Sequence, residues 1–104
     1  MNGNELISFQ IISAVGTARS MYVEAIQEAK KGNIQAAKQL IEDGVKVFVD
    51  GHHAHASLIQ KEAAGEKSEF SLLLMHAEDQ LMTTDTLKIV AEEFIELYSD
   101  KYHQ

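Results

Sequence analysis

The chain of 104 residues contains no proline. Proline is the residue that most reliably ends or kinks a helix, so nothing here forbids long uninterrupted helices. Punctuation is left to glycine. Gly32 and Gly65 each follow a helix-like run ending in lysine or alanine, where a C-terminal cap glycine belongs. They divide the chain into three segments of similar length, enough for one domain with one core.

The first segment, about residues 4–31, has Ile7, Ile11, Val15, Ala18, Tyr22, Ala25 and Ala29 on a three- and four-residue step, the amphipathic-helix period. Asn2 and Glu5 have capping-box spacing, and Lys30 and Lys31 suit the negative end of the helix dipole. The second, about 33–64, opens at Asn33 as N-cap and carries Ile34, Ala37, Leu40, Ile41, Val45, Phe48 and Leu58 on helical spacing. Within it, Val45, Val47 and Val49 alternate as in a strand between Gly44 and Gly51. A lone short strand has no partner in this chain, so the helix is retained. Interior glycines cost about 1 kcal/mol each against alanine, so Gly44 and Gly51 are read as close helix approaches. The third, about 68–99, starts at Ser68 as N-cap with Glu69 in the first turn. Its tail from Ser99 is expected to fray.

Three helices of that length are rods of about 42 to 48 Å. Short connections make neighbours antiparallel, so the expected fold is all-α, an up-down-up three-helix bundle over 1–104. The third helix carries two apolar stripes. One, from Phe70 through Leu74, Ala77 and Leu81 to Tyr98, faces the core. The other runs through Leu72, Met75, His76, Asp79, Met82, Thr83, Thr86 and Val90. A helix apolar on two sides is buried on two sides, so a homo-oligomer through the third helix is expected.

Composition excludes several classes. No cysteine means no disulfide, no thiolate zinc site and no cysteine nucleophile in this chain, which fits a cytoplasmic address. Net charge of −7 repels phosphate backbones and argues against general nucleic-acid binding. No run approaches the roughly 18 apolar residues of a membrane span, and the first residues lack a signal-peptide pattern.

Chemistry concentrates in Leu72-Leu-Leu-Met-His76-Ala-Glu78-Asp79-Gln80-Leu-Met82. On a helix His76, Asp79 and Gln80 share one face at i, i+3 and i+4, within a collar of Leu72, Leu73, Met75 and Met82. Convergent polar groups in an apolar surround compose a site. Imidazole is largely neutral at pH 7 and keeps a nucleophilic lone pair. Glu78 is read as facing solvent or another subunit, Tyr22 as lining the same pocket, and Arg19 as a surface ion pair ahead of a pocket-lining residue. His52, His53 and His55 form a second histidine cluster, with His52 and His55 on one helical face.

Ala18–Ala25, Ala29–Asn33, Leu58–Glu66, Ser71–Met82 and Ala91–Tyr98 resemble the lactose/cellobiose-type IIA component of the phosphoenolpyruvate-dependent sugar phosphotransferase system. The resemblance covers nearly the whole chain, and its most specific part is the His76–Gln80 block. It implies a homotrimer of three-helix bundles. It implies that His76 accepts a phosphoryl group from the carrier HPr and passes it to a cysteine of the IIB component, upstream of a membrane IIC component. It implies that Asp79 meets its symmetry mates at the trimer axis and holds a divalent cation, usually magnesium, with Gln80 beside the histidine. Unneutralised carboxylates meeting at an axis would repel one another strongly, and hard oxygen ligands favour Mg²⁺ or Ca²⁺ over zinc. The histidine cluster and the Gly44/Gly51 pair stand outside the family pattern. Two other readings stay open: a metal-binding helical protein using His52, His55 and His76, and a structural three-helix module with His76 in its core.

Overall fold

The structure, a computed structural model, describes residues 3–67 and 69–103. It consists of α1 (Gly3–Lys30), α2 (Ile34–Ala63) and α3 (Leu72–Lys101), with no strand among the described residues. The bundle measures 53 × 23 × 19 Å, the length of one helix plus its caps. The valine alternation in α2 is absorbed into continuous helix. With no second strand to pair with, tertiary packing decides against local β preference.

The chain reverses at Gly32 and Gly65, whose φ angles are 87° and 89°. Asn33 N–H donates to Glu28 O and Gly32 N–H to Ala29 O, each at 3.0 Å. Glu66 N–H to Lys61 O and Gly65 N–H to Glu62 O repeat the arrangement after α2. These paired bonds satisfy the last carbonyls of each helix and require a left-handed residue, which glycine adopts without strain.

Two start signals act differently from expectation. Asn33 precedes α2, but its side chain makes no cap bond; its amide donates instead to Glu28 Oε2 at 2.8 Å and ties the turn together. The third helix begins at Leu72, with Ser71 extended at φ −143° and its hydroxyl accepting from Leu74 N–H at 3.1 Å. Ser68 and Asn2, and the caps expected of them, lie outside the described residues. The tail is docked, not frayed: Tyr102 OH donates to Lys30 O at 2.9 Å and its ring lies over Gly32. At the other end Asn4 Nδ2 reaches Glu69 O at 3.5 Å, so α1 and α3 run side by side in the same direction; α2 runs back antiparallel to them and packs mainly on α1.

The core has two parts. Ile11, Val15, Ala77 and Leu81 fill the end near the start of α3. Ala18, Tyr22, Ala25, Ala29, Ile34, Ala37, Ile41, Ala91 and Ile95 fill the other. Burying an isoleucine or valine such as Ile11 or Val15 contributes about 1.5–3 kcal/mol. The interior glycines of α2 are close approaches. A Cβ on Gly44 would fall 2.6 Å from Tyr22 Cε1, and one on Gly51 would fall 2.9 Å from Val15 Cγ1. Thr84, fully buried on α3, has no hydrogen-bond partner for its Oγ1.

Candidate functional site

The His76 block lies in the first turns of α3, just after the Ser71 cap, so its backbone is fixed at both the cap and the core. Leu74, Ala77 and Leu81 turn inward and are buried. His76 and Asp79 are exposed, and Gln80 is half-buried. The shared face expected for these three residues is the face that α3 turns away from the core. Thr83 Oγ1 donates to Asp79 O at 2.8 Å and to Gln80 O at 3.3 Å, tying the backbone under the two polar side chains. Among the described residues no hydrogen bond or ion pair engages the His76 ring, the Asp79 carboxylate or the Gln80 amide. An imidazole so placed is exposed and has no hydrogen-bond partner among the described residues.

The apolar collar is present but not closed within one chain. Leu72 is 82% exposed and Met82 66%, and Met75 stands half out of the surface; only Leu73 is tucked in. The larger clefts lie elsewhere. One of about 820 Å³ runs between α1 and α2 past Leu6, Phe9, Val47 and His53. Another of about 400 Å³ separates α2 and α3 at Lys38, Ile41, Glu92 and Ile95. Neither is lined by His76. One chain thus presents an imidazole on an apolar surface rather than in a pocket.

Two expectations are corrected, for Tyr22 and Glu78, and Arg19 lies on the surface as preferred. Tyr22 does not line the site: it is buried in the far core cluster against Gly44. Burial, and then Asp85 and Glu92, push its hydroxyl up to about 12. Arg19 is exposed on α1. Glu78 is only half open to solvent: His55 Nε2 stands 2.9 Å from its Oε1 and bridges α2 to α3. A carboxylate can only accept, so the imidazole carries its proton on Nε2 in this bond. That contact was not legible in the sequence, since 23 residues separate the partners and no local pattern links them.

The same bond argues against a histidine metal site. The Nε2 of His55 is occupied by Glu78, and the His52 and His53 rings lie 6.4 Å apart, centroid to centroid. Among the described residues no three histidine, aspartate or glutamate side chains converge to hold an ion. The exposure of His76 likewise argues against its being a core histidine. No helix among the described residues is long and apolar enough to cross a membrane.

Comparison with known proteins agrees with this architecture. The "Lichenan-specific phosphotransferase enzyme IIA component" of Bacillus subtilis (strain 168) is 46% identical over 94 residues, covering 90% of this chain and 86% of that protein. The crystal structure of the cellobiose-specific enzyme IIA from Bacillus anthracis superposes with a TM-score of 0.96 at 42% identity, covering 100% of this chain and 95% of that one. The IIA(Chitobiose) of a solution complex with HPr superposes at 0.83 with 29% identity, covering 96% of this chain and 97% of that one. Residues 6–99 match the family described as "PTS system, Lactose/Cellobiose specific IIA subunit". The chain belongs to the lactose/cellobiose-specific IIA family and is a phosphotransferase component that works through a phosphohistidine.

Proposed function

We propose that His76 is the phosphorylated residue, that phospho-HPr is the donor, and that a cysteine of a IIB component is the acceptor. The observation that carries this reading is the unpartnered, exposed imidazole of His76 at the start of α3. It is the one histidine inside the block where the family likeness is most specific. In the first step a ring nitrogen lone pair attacks phosphorus. The new N–P bond forms as the donor's N–P bond breaks, and the donor imidazole leaves with the electron pair. In the second, a IIB thiolate attacks and an S–P bond forms as the bond to His76 breaks. Such transfers need mainly positioning and charge stabilisation, so a side chain without an elaborate catalytic apparatus suffices. Gln80, one turn along, has amide N–H groups that can donate to phosphoryl oxygens.

The exposed face of α3 supports a homotrimer. Leu72, Met82, Ile89 and Leu97 are each more than half exposed along a single helix, a surface that a second and third copy would cover. Covering it would also close the collar around His76 and shield a phosphohistidine from water. Asp79 points from that face, and its carboxylate suits a hard cation such as magnesium. Three Asp79 carboxylates from three copies would hold the ion, which would neutralise their repulsion. The sugar served is a β-glucoside or related oligosaccharide, chosen by the membrane IIC component. The working location is the cytoplasm.

The test is a chase. The protein is labelled from phosphoenolpyruvate through enzyme I and HPr, purified, and mixed with a IIB component. Wild type should take up label and surrender it to IIB, and folded His76→Gln should do neither. Label retained on the mutant would place the phosphoryl group elsewhere.

A further inference from the structure

His55 belongs to the cluster that stands outside the family pattern, yet its partner Glu78 lies inside the block that carries His76. Nε2–H of His55 donates to Glu78 Oε1 at 2.9 Å; the imidazole is four-fifths buried and the carboxylate about half. The two helices this bond joins are otherwise loosely seated on each other. The cleft of about 400 Å³ separates them at Ile41 and Ile95, and a smaller one of about 100 Å³ opens beside Glu78 itself, at Leu58 and Leu74. The inward residue of α3 at this level is Ala77, a single methyl between the buried Leu74 and Leu81 one turn to either side.

We propose that the His55–Glu78 bond is a positioning clasp that fixes the rotation of α3 about its own axis and so aims His76. Residues 76 and 78 are two apart, about 200° around a helix, so they stand on opposite flanks of α3. Holding Glu78 against α2 holds His76 at a set angle on the other flank. Releasing it lets the first turns of α3 roll, and the imidazole swings with them. Phosphoryl transfer is sensitive to that angle, because the attacking nitrogen must lie in line with the bond being broken. His55 touches neither substrate nor phosphoryl group, so it acts only through α3. The proposal rests on His76 being the phosphorylated residue.

The test compares wild type with His55→Ala, Glu78→Ala, the double variant, His55→Gln and, as a control, His53→Ala, which lies in the other cleft. Single-turnover transfer from phospho-HPr is followed at several donor concentrations, alongside the NMR shifts of the His76 ring and of the amides of residues 76–79. His55→Ala and Glu78→Ala should each slow the limiting rate about tenfold, with the half-saturating donor concentration unchanged. The double variant should be no slower than either single one, because one bond is lost in all three. His55→Gln, which can still donate to Glu78, should recover most of the rate, and His53→Ala should match wild type. The His76 signals should move in His55→Ala and Glu78→Ala and not in His53→Ala. Rates within twofold of wild type, losses that add in the double variant, or unmoved His76 signals would overturn the clasp. If wild type took no phosphoryl group on His76, the functional reading itself would fail, whereas the NMR comparison would still judge the bond.

Discussion

At the scale of single residues, the most direct consequences concern groups that the fold holds against their own preference. Thr84 is fully buried with its hydroxyl unpaired, and an unsatisfied buried polar atom costs about 1–3 kcal/mol. Valine has the same shape without the hydroxyl, so Thr84→Val should raise stability by about 1 kcal/mol in urea unfolding. Tyr22 carries the opposite lesson. Its hydroxyl is pushed up to about 12 by burial, Asp85 and Glu92, whereas an unfolded tyrosine titrates near 10. The folded chain therefore holds this proton more tightly. Its contribution is intact below pH 10 and is lost as pH rises from about 10 to about 12. Alkaline titration followed by circular dichroism should show stability falling in that window, and Tyr22→Phe should flatten the fall.

The same residues show what a sequence can carry. Tyr22 sits on the core period and was readable as apolar, but periodicity does not say which neighbour a tyrosine meets. Its reading as a lining of the site failed because Gly44 opens a notch that takes the ring into the core. The block of His76, Asp79 and Gln80 was legible because helical spacing alone puts the three on one face. The His55–Glu78 bond was not, because it depends on how two helices are phased across 23 residues of chain.

At the scale of the elements, spacing and punctuation decide. Gly32 and Gly65 were legible as stops because only a left-handed residue completes the paired bonds that end α1 and α2. Starts were less legible, since several serines and asparagines compete and a hydroxyl two or three residues away can take the role. Ser71 took it for α3, and Ser71→Ala should cost about 1 kcal/mol in the same unfolding assay. The Gly44 notch is a property of the pair α1–α2. Gly44→Ala would set a methyl 2.6 Å from the Tyr22 ring, a contact that must be relieved by moving a buried side chain. Overpacking of this kind costs about 1–3 kcal/mol. Set against the gain of about 1 kcal/mol that alanine brings in helix propensity, the net is a loss of up to about 2 kcal/mol, so the variant should unfold at lower urea.

At the scale of the whole molecule, the dominant feature is the exposed apolar face of α3. Leu72, Met75, Met82, Ile89 and Leu97 stand open to water on the helix that carries His76, and the proposed trimer would cover them. On the proposed trimer, Met82→Glu would place a charge in the shared face. It should lower the mass found by sedimentation equilibrium from trimer toward monomer while leaving the helical circular dichroism largely intact. An unchanged trimer would mean that another face carries the assembly. The second apolar stripe was visible in the sequence as periodicity, from which a homo-oligomer was expected; periodicity alone does not say what covers the stripe.

The central claim is that His76 carries the phosphoryl group. It is tested most directly by incubating wild type and His76→Gln with phosphoenolpyruvate, enzyme I and HPr, then recording intact mass at neutral pH and after brief acid. Wild type should gain one phosphoryl group, lost in acid as a phosphoramidate should be, and the folded variant none. An equal gain on His76→Gln, or no gain on folded wild type, would contradict it.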